Sequence, residues 1–580
     1  MANFSSEQIV LDSLFTAFCD EEYPGENPDD VFETFGATQV LKPRELSAPE
    51  LAAGVVDGDK DGGIDSFFVF MNGTLLSPDD PILIDGDPAI RSVGANPTLE
   101  IFLVQSKNKT NWEESVWEKL LSSLPNLLRL DADELHLEEI YRSDVVARTG
   151  IFRQAAWALR AKFPKVTFRA VYVARGLEGN ITTTITSRAE QVSGAVRAIL
   201  THGSVVTTEH IGVEGLYELV STSHNDPAEL KFKSLIRQKD SFLGVASLES
   251  YLSFIRTPAG ELRDELFDSN VRDYEGDNAV NEAIAATLAA DDTSNFWWLN
   301  NGITVIADEA NSPQETMTVS GPLVVNGLQT SHVLHRAEKA GLIAPGRLEN
   351  GIVVRVIEST DEEVRDRIIA GTNRQTQVPS PALFATKPDQ IAIEKYLLVF
   401  NWYYERRKNR YKNMGKPARR RITMNLLAQT MITVMLGQPN EARARPSTLL
   451  AAVGGYERVF PEALDKAVYL ASIEILHSVD EFLATTAAKT ILDENTNARF
   501  YVAAGYIVLK LKLKDTKNFH FEHNFTKLKT PLSRTLLTKA LKVLDAEATV
   551  FHSSHPKSTR DAVFKNSEFR TQYLDALKTT

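Results

Sequence analysis

Residues 56–70 read VDGDKDGGIDSFFVF, and residues 99–109 read LEIFLVQSKNK. Each stretch holds an apolar run typical of a buried strand. Asp65 stands directly before the first run, and Gln105 and Lys107 follow the second. Because side chains two positions apart on a strand share a face, Gln105 and Lys107 point the same way. The sequence therefore predicts two neighbouring strands that bring a carboxylate to a Gln-x-Lys pair.

This set of side chains suits metal-assisted cleavage of a phosphodiester. A carboxylate at Asp65 is a ligand for a hard divalent cation, and an oxygen of Gln105 adds a second ligand. The Lys107 ammonium would orient or polarise the attacking water. The alternative is purely structural: Asp65 caps a turn, and Lys107 is a solvated lysine at the end of a strand.

The motifs GGID and QSK, in this order after a Phe-Glu helix, resemble the PD-(D/E)xK nuclease superfamily in the Gln-x-Lys variant of Mrr-type restriction enzymes. The resemblance implies Mg²⁺ or Mn²⁺ as cofactor, metal ligands at Asp65 and Gln105, and catalysis at Lys107. Gln105 replaces the usual acid, so one fixed negative charge fewer holds the metal. The long spacing from Asp65 to Gln105 implies an inserted hairpin.

The same resemblance implies a glutamate near the metal on the first helix of the nuclease core. Glu33 in the helical stretch PDDVFETFGATQVL matches best, and Glu21 and Glu22 are the alternatives. The remaining pattern of residues 1–225 predicts an α/β, restriction-endonuclease-like domain. Its further predicted elements are helices over 5–20, 28–41, 111–130 and 184–200 and strands over 166–174 and 204–209.

Composition and charge limit the class of protein. A chain of 580 residues with 43% hydrophobic and 24% charged residues is an ordinary globular protein of two to four domains. One cysteine, Cys19, excludes an internal disulfide and fits a reducing cytoplasm. The N-terminus lacks the pattern of a signal peptide, and no apolar run approaches the roughly 20 residues that span a bilayer. We expect a cytoplasmic protein without a membrane segment.

The net charge of −14 is unevenly distributed. Residues 1–100 hold 20 acidic and 4 basic residues, a net charge of −16, so the other 480 residues sum to +2. Local basic surfaces are therefore compatible with the acidic total, and the total charge does not exclude a nucleic-acid partner.

Polar signatures crowd the middle of the chain, as LFDSNVR, FWWLNNGIT, VVNGLQTS, GTNRQTQV and YYERRKNRY. Together they resemble the AIPR family, named for abortive-infection phage resistance, over roughly residues 260–430. The resemblance implies a role in anti-phage defence, and a phage-derived trigger would fit that role. It supplies no agreed chemistry for this part of the chain.

Seven polar residues of this region are candidates for one binding pocket. Alternatively, each forms a turn or caps a helix, since Asn and Gly favour tight turns. For each residue taken alone, the interpretation as a turn former or helix cap is favoured over a pocket. The candidates are Asn300, Asn301, Asn326, Gln329, Thr330, Asn373 and Gln375.

A strongly basic stretch follows at residues 404–421, YERRKNRYKNMGKPARRR, with nine Lys or Arg against one Glu. Such a patch neutralises phosphates, and the interleaved Tyr403, Tyr404 and Tyr411 could stack on bases. The alternative is a solvated loop, or a loop docked on the acidic N-terminal region. The predicted nucleic-acid contacts are Arg406, Arg407, Lys408, Arg410, Lys412, Arg419, Arg420 and Arg421.

The sequence thus predicts four segments: a nuclease-like domain over 1–225, a connecting layer over 226–260, an α+β AIPR domain over 261–440 and a mainly helical region over 441–580. The run IVLKLKLK fits either a strand with one basic face or the end of a helix. His332 and His335 have no metal-ligand companions nearby in sequence and are read as structural.

The function predicted from these segments is a metal-dependent nuclease acting on DNA, with RNA as an alternative substrate. Cutting both strands with one site per chain favours a homodimer. The competing prediction is a non-catalytic sensor of a nucleotide or phage protein, built on a degenerate nuclease fold.

Overall fold

The computed structural model describes residues 6–579 apart from several short segments. The positions left out are 45, 57, 59, 222–227, 258–259, 261, 268–278, 291–294, 313–314, 373–383, 386, 407–409, 445–448, 451–453, 493, 517–518 and 529.

A five-stranded mixed sheet forms the centre of the N-terminal unit. Its strands are β1 (Ser66–Met71), β2 (Thr74–Leu75), β3 (Thr98–Lys107), β4 (Lys165–Ala174) and β5 (Val205–Ile211). The spatial order is β2-β1-β3-β4-β5; β1 runs antiparallel to β2 and β3, and β3, β4 and β5 are parallel. Asn72 and Gly73 both have positive φ and close a tight β1–β2 hairpin. The predicted insertion between Asp65 and Gln105 therefore begins as a hairpin.

Helices cover both faces of this sheet. They are α1 (Ser6–Glu22), α2 (Pro28–Val40), α3 (Ala48–Gly54), α4 (Ala89–Ser92), α5 (Glu114–Leu127), α6 (Glu134–Ile140), α7 (Ser143–Ala158), α8 (Thr183–Ile199) and α9 (Val213–Ser221). One face packs Leu99, Ile101 and Leu103 against a large apolar core that includes Trp117 of α5. The opposite face packs Val104 against the helix pair α1 and α2. Alternation along β3 therefore divides its side chains between two cores.

A second, seven-stranded sheet follows. Its strands are β6 (Ala228–Gln238), β7 (Ser241–Ser247), β8 (Ile303–Ala307), β9 (Glu309–Asn311), β10 (Thr316–Ser320), β11 (Leu323–Asn326) and β12 (Gly351–Glu358), in the order β11-β8-β12-β7-β6-β10-β9. The prediction of a connecting layer over 226–260 differs from this structure, because β6 and β7 lie inside the sheet. Only Ala228, Leu230 and Phe232 of β6 alternate as buried residues, so the strand signal in the sequence is short.

Four helices belong to the region around the second sheet, and a two-stranded parallel sheet follows. The helices are α10 (Leu248–Phe254), α11 (Ala279–Ala289), α12 (Leu328–Lys339) and α13 (Glu362–Thr372), and the strands are β13 (Tyr403–Glu405) and β14 (Arg421–Thr423). The two strands bracket the basic stretch and fix both of its ends.

The C-terminal part is helical. Its helices are α14 (Pro388–Val399), α15 (Arg410–Asn413), α16 (Met424–Val434), α17 (Pro439–Ala444), α18 (Gly455–Val459), α19 (Lys466–Leu483), α20 (Thr486–Lys489), α21 (Asn495–Leu511), α22 (Phe521–Asn524), α23 (Arg534–Ser554), α24 (Arg560–Lys565) and α25 (Ser567–Ala576). The run IVLKLKLK ends α21, so the helix alternative is the correct one. A single apolar core extends from Ala385 to Leu577 and joins residues on both sides of position 440.

Over the residues that the structure describes, no helix is both long enough and apolar enough to cross a membrane.

Candidate active site

A glycine turn positions Asp65 at the entrance of β1. Gly62 and Gly63 have φ values of 69° and 81°, a region that favours glycine. The Asp61 carboxylate accepts a hydrogen bond of 2.7 Å from the backbone N–H of Gly63. A Cβ atom at Gly63 would lie 2.8 Å from the Cβ of Lys119, so the close packing of the turn on α5 also requires glycine.

The Asp65 carboxylate is held by the strand opposite. Ser66 pairs with Val104 in the β1–β3 register, so Asp65 lies across from Gln105. Oδ2 of Asp65 accepts two hydrogen bonds of 2.7 Å, one from Nε2 of Gln105 and one from the backbone N–H of Ser106. Asp65 and Gln105 are each 2% exposed. The predicted meeting of the carboxylate with the Gln-x-Lys strand is therefore present in the structure.

Lys107 lies between two carboxylates. Its Nζ is 3.7 Å from Oδ2 of Asp65 and 3.9 Å from Oε1 of Glu33. Glu33 reaches this position because α2 packs closely on β3: a Cβ atom at Gly36 would lie 2.4 Å from Oγ of Ser106. Glu33 precedes Gly36 by about one helical turn and so faces the end of the strand. The structure thus brings Asp65, Gln105, Lys107 and Glu33 together.

The two alternative glutamates lie elsewhere. Glu22 accepts a hydrogen bond from the backbone N–H of Ala418, and Glu21 is exposed at the end of α1. Of the three candidates, only Glu33 contacts Lys107.

Polar contacts fix α1 and α2 against the strand ends beside this site. The Arg175 guanidinium donates a hydrogen bond of 2.8 Å to Oδ1 of Asn108 and another of 2.7 Å to Oδ1 of Asp12. Asn108 in turn donates 2.8 Å to Oδ1 of Asp29, in the first turn of α2. These bonds connect the loops after β3 and β4 with both N-terminal helices. They help to hold Glu33 in position.

Burial raises the pKa of Asp65 to about 7. The Lys107 charge and the hydrogen bonds from Ser106 and Gln105 lower the pKa, whereas Asp61 raises it, and desolvation outweighs all of them. At neutral pH this carboxyl is therefore divided between its neutral and charged forms. A further positive charge beside Asp65 would favour the carboxylate.

We expect Asp65 to make the metal-free protein less stable as the pH rises from about 4 to 7. The folded pKa of about 7 lies above the unfolded value of about 3.9, so in this window the folded state keeps a proton that the unfolded chain releases. The thermal unfolding midpoint is measured in EDTA at pH 5 and at pH 8. The decrease from pH 5 to pH 8 should be larger for wild type than for Asp65→Asn. The same pH dependence in both proteins would contradict the assignment.

The donor set fits a hard divalent cation. Oε1 of Gln105 is buried and accepts no hydrogen bond from any residue that the structure describes. This oxygen and the carboxylates of Asp65 and Glu33 are the oxygen ligands that Mg²⁺ and Mn²⁺ prefer, and Mg²⁺ usually keeps several waters. Among the described residues, no group of three or more His, Cys, Asp or Glu could hold a metal. The amide oxygen and water would therefore have to complete the coordination.

Two residues that sequence reasoning missed extend the site across the sheet. Gln105 pairs with Tyr172 of β4, and Tyr172 pairs with His210 of β5. The Tyr172 hydroxyl accepts a hydrogen bond from the backbone N–H of Glu113, and Nε1 of Trp117 donates to Nε2 of His210. Burial raises the pKa of Tyr172 to about 12 and lowers the pKa of His210, so both are neutral at pH 7. The alternation of VTFRAVYVA could have placed Tyr172 on this face.

The polar residues of the second unit that were predicted to share a pocket make separate sets of hydrogen bonds in the structure. Asn300 donates a hydrogen bond of 3.0 Å to Oγ1 of Thr330. Gln329, at the start of α12, accepts one of 2.9 Å from Asn281 of α11. Asn326 instead donates to the backbone oxygen of Thr372. Asn301 is exposed. Asn373 and Gln375 lie outside the described residues.

Two turns in this region follow the structural alternative. The backbone N–H of Gly302 donates 3.0 Å to Oδ1 of Asn300, and Gly302 has a φ of 76°. Gly327, with a φ of 104°, is the N-cap of α12. Asn300–Gly302 and Asn326–Gly327 are therefore turns, as either reading required.

The second half of the chain matches a known protein family. A family model described as "AIPR protein" matches residues 267–558, which is half of the chain. The chain belongs to the AIPR family. No curated protein and no solved structure matches the chain. Membership of the AIPR family indicates a role in anti-phage defence.

The AIPR match reaches beyond the predicted range of 260–430. It continues to residue 558 and so takes in most of the C-terminal helices. This agrees with the single apolar core from Ala385 to Leu577. The strands β6 and β7 precede the match, although they share a sheet with strands inside it.

Several arginines of the basic stretch of this AIPR protein form ion pairs or hydrogen bonds with other residues of the chain. Arg406, with a side chain only 2% exposed, contacts the carboxylates of Glu394 and Asp366. Arg410 donates 2.6 Å to Glu394, and the Arg421 side chain is 9% exposed. The prediction that Arg406 contacts phosphate is therefore corrected: its guanidinium forms buried ion pairs.

Other members of the stretch dock on the N-terminal unit, as the second alternative predicted. Nζ of Lys412 donates 3.1 Å to the backbone oxygen of Leu46, and the backbone N–H of Ala418 donates to Glu22. Arg419 is exposed, and Arg420 lies over the ring of Trp402 at 4.9 Å. Tyr404 and Tyr411 are buried and unsuited to base stacking. Arg407 and Lys408 lie outside the described residues.

The two histidines of α12 are structural. Nδ1 of His335 accepts 3.0 Å from Nε of Arg256. His332 lies against the ring of Phe267, and burial lowers its pKa to about 3.

Proposed function

We propose that this AIPR protein is a metal-dependent nuclease that hydrolyses phosphodiester bonds of DNA during anti-phage defence. The observation that carries the proposal is the meeting of Asp65, Gln105, Lys107 and Glu33 at one end of β3. A first helix, a mixed sheet, a helical crossover and a further parallel strand also follow the order expected of a PD-(D/E)xK nuclease core.

In the proposed mechanism, Asp65, Glu33 and Oε1 of Gln105 would hold Mg²⁺ or Mn²⁺. When bound, such a cation supplies Lewis-acid stabilisation of the phosphate and activates a water. The bonds from Gln105 and Ser106 fix the orientation of the Asp65 carboxylate, so its free oxygen faces a defined position. Burial of Asp65 at 2% exposed keeps bulk water from competing at that position.

Lys107 supplies a positive charge where negative charge increases during hydrolysis. Its ammonium is held between Asp65 and Glu33 without a hydrogen bond shorter than 3.7 Å to either carboxylate. The side chain is 29% exposed and so remains accessible from solvent. A preorganised cation of this kind stabilises the transition state in a partly desolvated site. Lys107 therefore orients the attacking water or stabilises the phosphate charge.

The experiment is cleavage of plasmid and phage DNA by purified protein with Mg²⁺ or Mn²⁺, beside Asp65→Ala. Cleavage by wild type that is lost in Asp65→Ala and in EDTA supports the proposal. The same protocol with single-stranded RNA decides between the two nucleic acids. Equal cleavage by wild type and Asp65→Ala would contradict the site.

A non-catalytic sensor of a nucleotide or phage protein is the second candidate function. The observation that favours it is Gln105, which leaves two carboxylates at the site where the resemblance implies a further acid. Metal binding distinguishes the two functions: a sensor with a degenerate site has no Mn²⁺ affinity that depends on Asp65. Titration of wild type and Asp65→Ala with Mn²⁺, followed by calorimetry, measures this directly.

A phage-derived trigger and a homodimer belong to the nuclease proposal. The trigger is tested by adding phage lysate to the cleavage reaction, and the homodimer is tested by light scattering.

A further inference from the structure

A cavity of about 230 Å³ lies between the N-terminal unit and the C-terminal helices. Helices α6 and α7 form one wall, with Glu134, Glu138 and Arg148. The other wall comes from the C-terminal part, with Arg443, Asp561 and Lys565. Six ionisable side chains therefore line a space at the junction of two parts of the chain. This cavity is separate from the site around Asp65.

Arg148 is the unusual member of this lining. The residue is only 7% exposed, yet its guanidinium forms no hydrogen bond or ion pair with any residue in the described part of the chain. Burial and the nearby Arg443 charge lower its pKa to about 10 against the opposing effect of the Asp561 and Asp144 carboxylates, and Arg148 stays charged at pH 7. A buried guanidinium without a hydrogen-bonded partner is costly, because no acceptor replaces the water that burial removes from its N–H groups.

The other charged groups of the lining are already matched. Asp561 lies between Arg443 and Lys565, at 2.6 Å from a nitrogen of each. Glu134 accepts 3.0 Å from Arg153, which lies behind the wall.

Glu138 is the remaining acid of the lining. Its carboxylate accepts two hydrogen bonds from the backbone N–H of Arg560. Burial and the neighbouring acids raise the pKa of Glu138 to about 7, so this group carries only part of a negative charge at neutral pH. Arg148 therefore remains the cation of this lining whose guanidinium has no hydrogen-bond acceptor among the described residues, although the Asp561 and Asp144 carboxylates act on it from a distance.

We propose that this cavity binds a small phosphorylated molecule whose phosphate group pairs with Arg148. The planar guanidinium presents several N–H donors in a fixed fork that matches the oxygens of a phosphate. Arg443 and Lys565 share the single carboxylate of Asp561, so this group on the facing wall keeps a net positive charge. Glu134 and Glu138 would accept hydrogen bonds from hydroxyl or amino groups of the same ligand.

The size of the cavity restricts the ligand. Pockets for drug-sized ligands measure about 300–1,000 Å³, and this cavity is smaller. It therefore suits inorganic phosphate or a small phosphate ester, such as a sugar phosphate or a mononucleotide. Because the walls come from α7 and from Arg443 within the AIPR match, a bound ligand would connect the N-terminal unit with the AIPR region.

Calorimetric titration of the full chain in phosphate-free buffer tests this proposal. The probes are inorganic phosphate, ribose 5-phosphate and adenosine 5′-monophosphate, which separate free phosphate from phosphate esters. We expect one site per chain for at least one probe and a roughly 10- to 100-fold weaker affinity in Arg148→Met, as the loss of charged hydrogen bonds predicts. Absence of binding for all three probes would overturn the proposal.

A matched control and a stability measurement separate ligand binding from a structural role. Arg188→Met removes a half-buried arginine that pairs with Glu118 on the same unit and does not line the cavity, and it should leave probe affinity unchanged. Without ligand, Arg148→Met should have an unchanged or higher Tm, because it removes a buried charge that has no hydrogen-bonded partner. A lower Tm without ligand, or equal probe affinity in wild type and Arg148→Met, would show that Arg148 is structural and would overturn the proposal.

Discussion

Lys107→Ala should abolish DNA cleavage while the protein keeps its fold. Removing one preorganised donor from a hydrolytic site costs about 10²–10³ in kcat, and loss of a full charge should reach at least that range. The fold should persist because Lys107 makes only long ion pairs, at 3.7 and 3.9 Å, and its side chain is 29% exposed. The measurement is the initial rate of plasmid nicking at saturating Mn²⁺, with Tm as the check on folding.

Lys109→Ala is the matched control. Lys109 lies two residues further along, is 59% exposed and pairs with Glu113 at 2.6 Å. The Lys109→Ala substitution removes the same charge from the same stretch. If cleavage depends on the position of Lys107 and not on the local charge, the rate should stay within about threefold of wild type. A Lys107→Ala protein that cleaves as fast as Lys109→Ala would remove Lys107 from the mechanism.

The pH dependence reports how Lys107 acts on its neighbour. The Lys107 charge lowers the pKa of Asp65, so its removal lets that pKa rise above about 7. Because protons and metal compete for the same carboxylate, Mn²⁺ affinity of Lys107→Ala should need a higher pH than that of wild type. A titration of Mn²⁺ binding against pH shows this shift even when cleavage is absent.

The sequence was sufficient for the part of the site that depends on local pattern. The apolar runs before Gln105 and after Asp65 pair as β3 and β1, and the period of two puts Gln105 and Lys107 on one face. Glu33 needed more, because its position depends on how closely Gly36 of α2 approaches Ser106. The family resemblance supplied that glutamate, whereas periodicity alone could not choose it over Glu22.

Contacts between residues distant in sequence were beyond such reasoning. A run of arginines predicts an exposed surface, yet Arg406 is neutralised by Glu394 and by Asp366, 40 positions earlier. The cavity likewise combines Arg148 of α7 with residues that lie 295 or more positions later. No local sequence pattern predicts these contacts, because they arise from the packing of whole units.

Arg406→Met should destabilise the C-terminal core strongly. Its guanidinium contacts Glu394, Asp366 and the backbone oxygen of Ala385, and all three carboxylate and guanidinium groups are at most 8% exposed. Removing one partner of a buried pair costs about 3–5 kcal/mol, because it leaves buried charge uncompensated. For a unit of 150–250 residues, that corresponds to a fall in Tm of roughly 6–20 °C. Differential scanning calorimetry measures it.

Arg419→Met is the comparison that separates structure from nucleic-acid binding. Arg419 is exposed, so its loss should leave Tm unchanged and should weaken DNA binding, with a salt dependence lower by about one phosphate contact. Arg406→Met should show the opposite result at a temperature where it is folded: a lower Tm and an unchanged salt dependence. A folded Arg406→Met protein with a reduced salt dependence would instead restore Arg406 as a phosphate contact, because a buried ion pair contributes no counterion release.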